Sequence, residues 1–176
     1  PGSLLDALRR KHWIQELYAD DSIMSTSIFS IFTMQLELTD AGCEHVDEIV
    51  SMIYAYIEIL KAGIPDWVVD ELQTTANMQF RFLSKQSPSD TACRLANCLQ
   101  LYEVKHVLSG PYLTYEVNME AFKECLGALN PNNMILMVAR KQVETNQVDP
   151  YYGTEYSTAD ISPESLALWT SPKPVE

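Results

Sequence analysis

The stretch IFSIFTMQLELTDAGCEHVDEIVSMIYAYIEILKAG, residues 28–63, decides the fold. Its first part, Ile28–Leu38, alternates with a period of two. Ile28, Ser30, Phe32, Met34, Leu36 and Leu38 fall on one face, and Phe29, Ile31, Thr33, Gln35 and Glu37 on the other. This predicts a strand with one apolar face that needs cover. The next residues supply the cover. Thr39 caps a predicted long helix, Asp40 to about Ala62, in which Val46, Ile49, Val50, Ile53, Tyr54, Ile57 and Leu60 recur at helical spacing. Asp40, Glu44, Asp47 and Glu48 crowd its first turns and Lys61 its last, as the macrodipole favours. Gly63 and Pro65 stop it.

Working outward, Ser3 is a good N-cap for a short helix, Leu4–Lys11, with Leu4, Leu5 and Leu8 as its apolar stripe. Trp13–Tyr18 reads as a strand, and the small, acidic Ala19–Ser27 as a turn or flexible loop. Beyond Gly63 a second long helix is predicted from Pro65 to Lys85, with Trp67, Val68, Leu72, Phe80 and Leu83 inward. Ser87-Pro88-Ser89 breaks it and caps a shorter helix, Asp90–Leu101. Leu108–Tyr115 reads as a loop, Asn118 caps a helix to about Leu129, and Met134–Ala139 reads as a buried strand. From Gln142 the periodicity fades into a Pro-punctuated tail with Tyr151, Tyr152, Tyr156 and Trp169, expected to lie extended along a surface of this chain or of a neighbour. The fold class is α+β: long helices on one face of a mostly antiparallel sheet. The expected division is an α+β domain over 1–141, lacking its first strand or strands before Ser3, and a tail over 142–176 that packs on the domain or leads to a linker.

Composition narrows the function. The chain has 176 residues, 47% of them hydrophobic, and 12 basic against 24 acidic residues give a net charge of −12. Nucleic acid is excluded as a partner, since binding it rests on Lys and Arg neutralising phosphates. No membrane span is expected: the longest apolar stretches, such as Met52–Leu60, are broken by Glu58 and fall far short of ~20 residues. No signal peptide is visible. Cys43, Cys93, Cys98 and Cys125 form no CxxC and read as reduced, mostly buried thiols, with a disulfide or zinc knuckle as the lesser alternative. A reducing, cytoplasmic location follows.

Catalytic chemistry is missing. His12, His45 and His106 are too far apart for HxxH, HExxH or HxxEH. Glu44-His45-Val46-Asp47-Glu48 has ligand-type residues, but at the start of an amphipathic helix, where solvated acids are the plainer account. No GxSxG, GxGxxG or GxxxxGK[ST] occurs. Asp20-Asp21 reads as a solvated pair or a weak cation site. No catalytic residue, metal ligand or cofactor is therefore assigned within the chain. One possibility rests on backbone. If the Ile14–Tyr18 strand lies at a sheet edge, its N–H and C=O groups can add a peptide strand; as an interior strand it cannot.

The ordered motifs resemble a family. Pro1-Gly2-Ser3-Leu4-Leu5, Trp13 four residues before Leu17, Ile28-Phe29-Ser30-Ile31, and Leu38-Thr39-Asp40-Ala41-Gly42 follow its order. So do Phe80-Arg81-Phe82, Tyr102-Glu103-Val104, Val107-Leu108 and Tyr152-Gly153-Thr154-Glu155-Tyr156 with Trp169. The set resembles the second domain of the insulin-degrading enzyme and nardilysin family, in the pitrilysin (inverzincin) superfamily. The resemblance implies a metallohydrolase-like half-domain of the mitochondrial-processing-peptidase kind. It also implies a non-catalytic, substrate-binding role in an insulysin-like zinc metalloendopeptidase that degrades peptides in an enclosed chamber. Zinc and the HxxEH motif belong to another domain of the parent, so this chain is expected to be inactive alone. Its implied partners are the peptide substrate and the remaining parent domains. The implied substrate-anchoring edge is Leu17, Tyr18, Ala19, Asp20 and Asp21. Two positions depart from the family pattern: His12 stands in place of a glycine, and Ala19-Asp20 in place of a glycine pair. The alternative function is a stand-alone acidic protein-interaction module that binds a basic protein through Asp20–Asp21 and Asp40–Glu48.

Overall fold

Ser3 Oγ accepts the Asp6 N–H at 3.2 Å, and the helix it starts, α1 (Leu4–Arg10), buries Leu4 and Leu8. The helix ends at a residue with an unusual backbone. His12 has φ 58°, inside the left-handed region that favours glycine. The chain then reverses into β1 (Ile14–Ser25), which pairs antiparallel with β2 (Ser30–Leu38). The computed structural model describes residues 2–26, 28–141 and 143–173, with 21–25 described by backbone alone.

His12 is exposed, so its side chain buries nothing that offsets the backbone cost. His12→Gly is expected to stabilise the chain by about 0.5–1 kcal/mol, because relief of the left-handed strain exceeds the glycine entropy penalty. A raised urea midpoint checks this, and an unchanged or lowered one contradicts it.

The expected loop at Ala19–Ser27 is corrected: Ala19–Ser25 continues β1. Leu17 faces Leu36, Ala19 faces Met34 and Asp20 faces Thr33 across the ladder. Pairing with the strongly periodic β2 overrides the weak strand preference of Ala-Asp-Asp. The register slips between Asp20 and Met24, so the acidic pair sits where the ladder becomes irregular. Thr26 then tightens the turn, with its Oγ1 accepting the Ile28 and Phe29 N–H groups.

The helix expected from Asp40 starts later. Thr39 Oγ1 accepts the Gly42 N–H at 3.0 Å, starting a 3-10 turn over Gly42–Glu44, and α2 runs Val46–Ala62. His45 takes φ −120°, ψ 32°, which breaks the continuity. Then follow α3 (Asp66–Arg81), α4 (Pro88–Leu101), α5 (Met119–Ala128), the small hairpin β3 (Gln147–Val148) and β4 (Glu155–Tyr156), and α6 (Pro163–Thr170). Helices with small antiparallel sheets make the fold α+β.

The chain divides into two compact units, residues 1–60 with 126–176, and residues 61–125. The first has two core clusters. In one, Leu4, Leu8, Ile14 and Ile49 pack with Leu17, Met34, Leu36 and Leu38. In the other, Val50, Tyr54, Ile57 and Trp169 pack with Leu129, Met134 and Ile161. In the second unit the Phe80 and Tyr112 rings meet in a tilted pair, 5.7 Å between centroids, and Cys98 and Val107 are buried.

Three further expectations are corrected. Met134–Ala139 is neither buried nor paired: Ile135 is 95% exposed and Met137 86%, and no ladder reaches the segment among the described residues. The tail is not simply extended, because Ser162 caps α6 with Pro163 at its first turn. Of the four free thiols only Cys98 is buried.

Candidate functional site

The candidate site is the outer edge of β1. Its start is held by a residue that sequence reasoning missed. Arg9, in the last turn of α1, donates from Nε to the Gln15 carbonyl at 2.8 Å and pairs with Glu16 at 3.0 Å. The register slips at this point, between Ile14 and Glu16. The Gln15 carbonyl is thus taken by a guanidinium. No short-range motif announces a contact between positions six apart across a reversal.

Beyond Gln15 the site residues follow the pleat. Leu17 is half-buried and packs on the first core cluster, while Tyr18 is 55% exposed. Ala19 and Asp20 are exposed. The Asp21 side chain lies outside the described residues, although its backbone is part of β1. All five expected residues therefore share one strand, with Leu17 and Ala19 on the core face and Tyr18 and Asp20 on the other. Among the described residues β1 has one partner strand, β2, so its other side is a sheet edge. Such an edge binds extended backbone.

The turn beneath the edge is tied down at several points. Thr39 donates from Oγ1 to the His12 carbonyl at 2.7 Å, and its N–H donates to the Trp13 carbonyl at 3.0 Å. Trp13 stacks on His45 at 4.6 Å between ring centroids, with the Lys11 ammonium 4.9 Å from the Trp13 ring centre. Backbone hydrogen bonding chiefly holds the Glu48 carboxyl below its ordinary pKa; desolvation opposes it, and the His45 ring, 3.3 Å away, adds a lesser lowering. These contacts give Glu44–Glu48 a structural role at the helix entry. Among the described residues no group of three or more His, Cys, Asp or Glu side chains is placed to hold a metal ion. Among the described residues no helix is long and apolar enough to cross a membrane.

The site thus consists of a capped helix, a reversed ribbon and a covering helix, with one open strand edge among the described residues. Comparison with known proteins gives the chain a family. The profile described as "Middle or third domain of peptidase_M16" matches residues 80–176. A nardilysin-like protein of Arabidopsis thaliana is 32% identical over 99% of this chain and 18% of its own length. The human insulin-degrading enzyme is 30% identical over 96% of this chain and 17% of its own length. A crystal structure of pitrilysin superposes with a TM-score of 0.88 at 24% identity, over 97% of this chain and 18% of that one. The chain belongs to the M16 metallopeptidase family, as a middle domain. It spans less than a fifth of the curated relatives it matches.

Proposed function

We propose that this chain is the non-catalytic, substrate-cradling domain of an insulysin-like zinc metalloendopeptidase, inactive alone, which anchors peptides while another domain cuts them. The observation that carries this reading is the β1 edge. It is twelve residues long, and among the described residues it is paired on one side only. An extended peptide adds there as a further strand, its backbone recognised by the ladder and its amino end drawn to the acids near Asp20–Asp21. Leu17, Tyr18, Ala19, Asp20 and Asp21 form the anchor. Holding one end of a peptide converts cleavage into an effectively intramolecular step, which is how a domain without catalytic residues contributes to rate.

Zinc and its HxxEH ligands would lie in a separate domain of the parent, with the peptide enclosed between domains. Residues 1–141 would be the α+β domain and 142–176 its packed tail, a reading supported by Trp169, which is buried against α2. A cytoplasmic site for the parent is supported by four free thiols. The test is kinetic. In the full-length peptidase, Asp20→Asn and Asp21→Asn are each expected to raise the KM for a peptide with a free amino terminus by about 2- to 5-fold, as befits exposed charge pairs. Amino-terminal acetylation of the peptide should remove the difference. Unchanged KM values in both variants would sink the assignment.

A further inference from the structure

The regular part of the β1–β2 ladder is short. Opposite pairs run without a break from Glu16–Glu37 to Asp20–Thr33, five residues of β1. The register slips on either side, between Ile14 and Glu16 and between Asp20 and Met24. Gln15 has no residue opposite it, so the first slip is a one-residue bulge, a device that bends a strand and ends its pairing.

The bulge is pinned from α1. Arg9 Nε donates to the Gln15 carbonyl at 2.8 Å, and Nη2 of the same guanidinium pairs with Glu16 at 3.0 Å. The second contact offsets a repulsion in the ladder, since Glu16 lies directly opposite Glu37. A planar guanidinium with several fixed donors suits holding a carbonyl and a carboxylate at once. Just before the bulge, the Trp13 carbonyl already accepts the Thr39 N–H and the Thr39 hydroxyl. The carbonyls of Trp13 and Gln15 are thus both occupied. A visiting strand meets the regular backbone repeat only from Glu16 to Asp20.

We propose that Arg9 is a positioning residue for the bound peptide. It holds the Gln15 bulge as the point where the peptide leaves the ladder, which confines pairing to Glu16–Asp20 and fixes the register of the added strand. The proposal rests on the reading that peptides add at the β1 edge. With the register fixed, the bond presented to the cutting domain lies at a constant distance from the amino end of the peptide. Without Arg9 the bulge relaxes and the peptide slides. The slide is by two residues, because a slide of one turns every side chain to the opposite face.

The test maps the first cuts made by the full-length peptidase in one peptide and in the same peptide lengthened by two residues at its amino end. The unaltered enzyme should cut both at the same distance from the amino end. Arg9→Met keeps the apolar stem and loses the donors. It should add a second cut two residues away and lower the preference for the original bond by about 5- to 10-fold, the worth of one hydrogen bond. Arg9→Lys, which still carries donors, should restore the single cut. Arg10→Met removes the same charge from the same turn, where Arg10 pairs with Asp6, and should leave the map unchanged. If the unaltered enzyme cuts the lengthened peptide at the original bond, the anchoring reading fails and the proposal with it. If the distance is constant but Arg9→Met gives the unaltered map, or cuts at every neighbouring bond, the proposal alone is overturned. A lysine variant as spread as the methionine one, or an Arg10→Met map as spread, overturns it too.

Discussion

Gly42→Ala is expected to destabilise the first unit by about 3 kcal/mol, at the upper end of what overpacking costs. A Cβ built on Gly42 falls far inside contact distance of the Trp13 carbonyl oxygen and also crowds the Trp13 carbonyl carbon and Cα. These are backbone atoms, and they are already committed. The Trp13 carbonyl accepts the Thr39 N–H at 3.0 Å and the Thr39 hydroxyl at 3.2 Å. No rotamer change relieves the clash; the ribbon and the entry to α2 must separate. Gly127, in α5, has nothing within 4 Å of its added Cβ. Gly127→Ala should therefore stabilise by up to about 1 kcal/mol through helix propensity. Urea denaturation of the two variants checks the contrast, and equal midpoints would contradict it.

The second large effect lies in the tail. Trp169 is 2% exposed, packs with Val50, Tyr54 and Ile57, and donates its indole N–H to the Asp47 carbonyl at 3.0 Å. Trp169→Ala removes the largest fully buried side chain and leaves a cavity, at a cost of about 3–5 kcal/mol. Such a loss is a large part of a domain's whole stability. Trp169→Phe keeps much of the apolar contact but loses the indole hydrogen bond to the Asp47 carbonyl, so its cost should be nearer about 1–2 kcal/mol. Denaturation midpoints in the order wild type, Phe, Ala are the expected outcome. A Trp169→Ala protein as stable as wild type would show that the tail does not hold α2.

How much of this was legible in the sequence depended on the range of the deciding interaction. The α1 cap at Ser3, the β2 face from Met34 to Leu38 and the body of α2 followed from periodicity and short-range hydrogen bonding, and the structure has them. The Leu38-Thr39-Asp40-Ala41-Gly42 motif was visible, but its reason was not: Thr39 and Gly42 are shaped by Trp13, more than twenty residues earlier. Ala19–Ser25 failed as a loop because cross-strand pairing outweighed composition. Met134–Ala139 failed in the opposite sense, since its strand chemistry is correct but it has no ladder among the described residues. Within the candidate site, the five edge residues share one strand although Ala19-Asp20-Asp21 reads as loop by composition, and Arg9, which occupies the Gln15 carbonyl, left no signal in the pattern.

The first unit is discontinuous in sequence: residues 61–125 interrupt it, and Trp169 returns to Asp47 from the far end of the chain. This has a kinetic consequence. During synthesis, α1, the ribbon and α2 emerge early but lack Trp169, Ile161 and Met134, which cover the other side of α2. Residues 61–125 are local and can organise while they wait. Closing the long loop to Trp169 costs entropy before its contacts return any free energy. Until Trp169 has left the ribosome, Val50, Tyr54 and Ile57 stay open to solvent on that side. The newborn domain is then most exposed to aggregation and to chaperones, and the emergence of Trp169, more than local helix formation, times the maturation of the first unit.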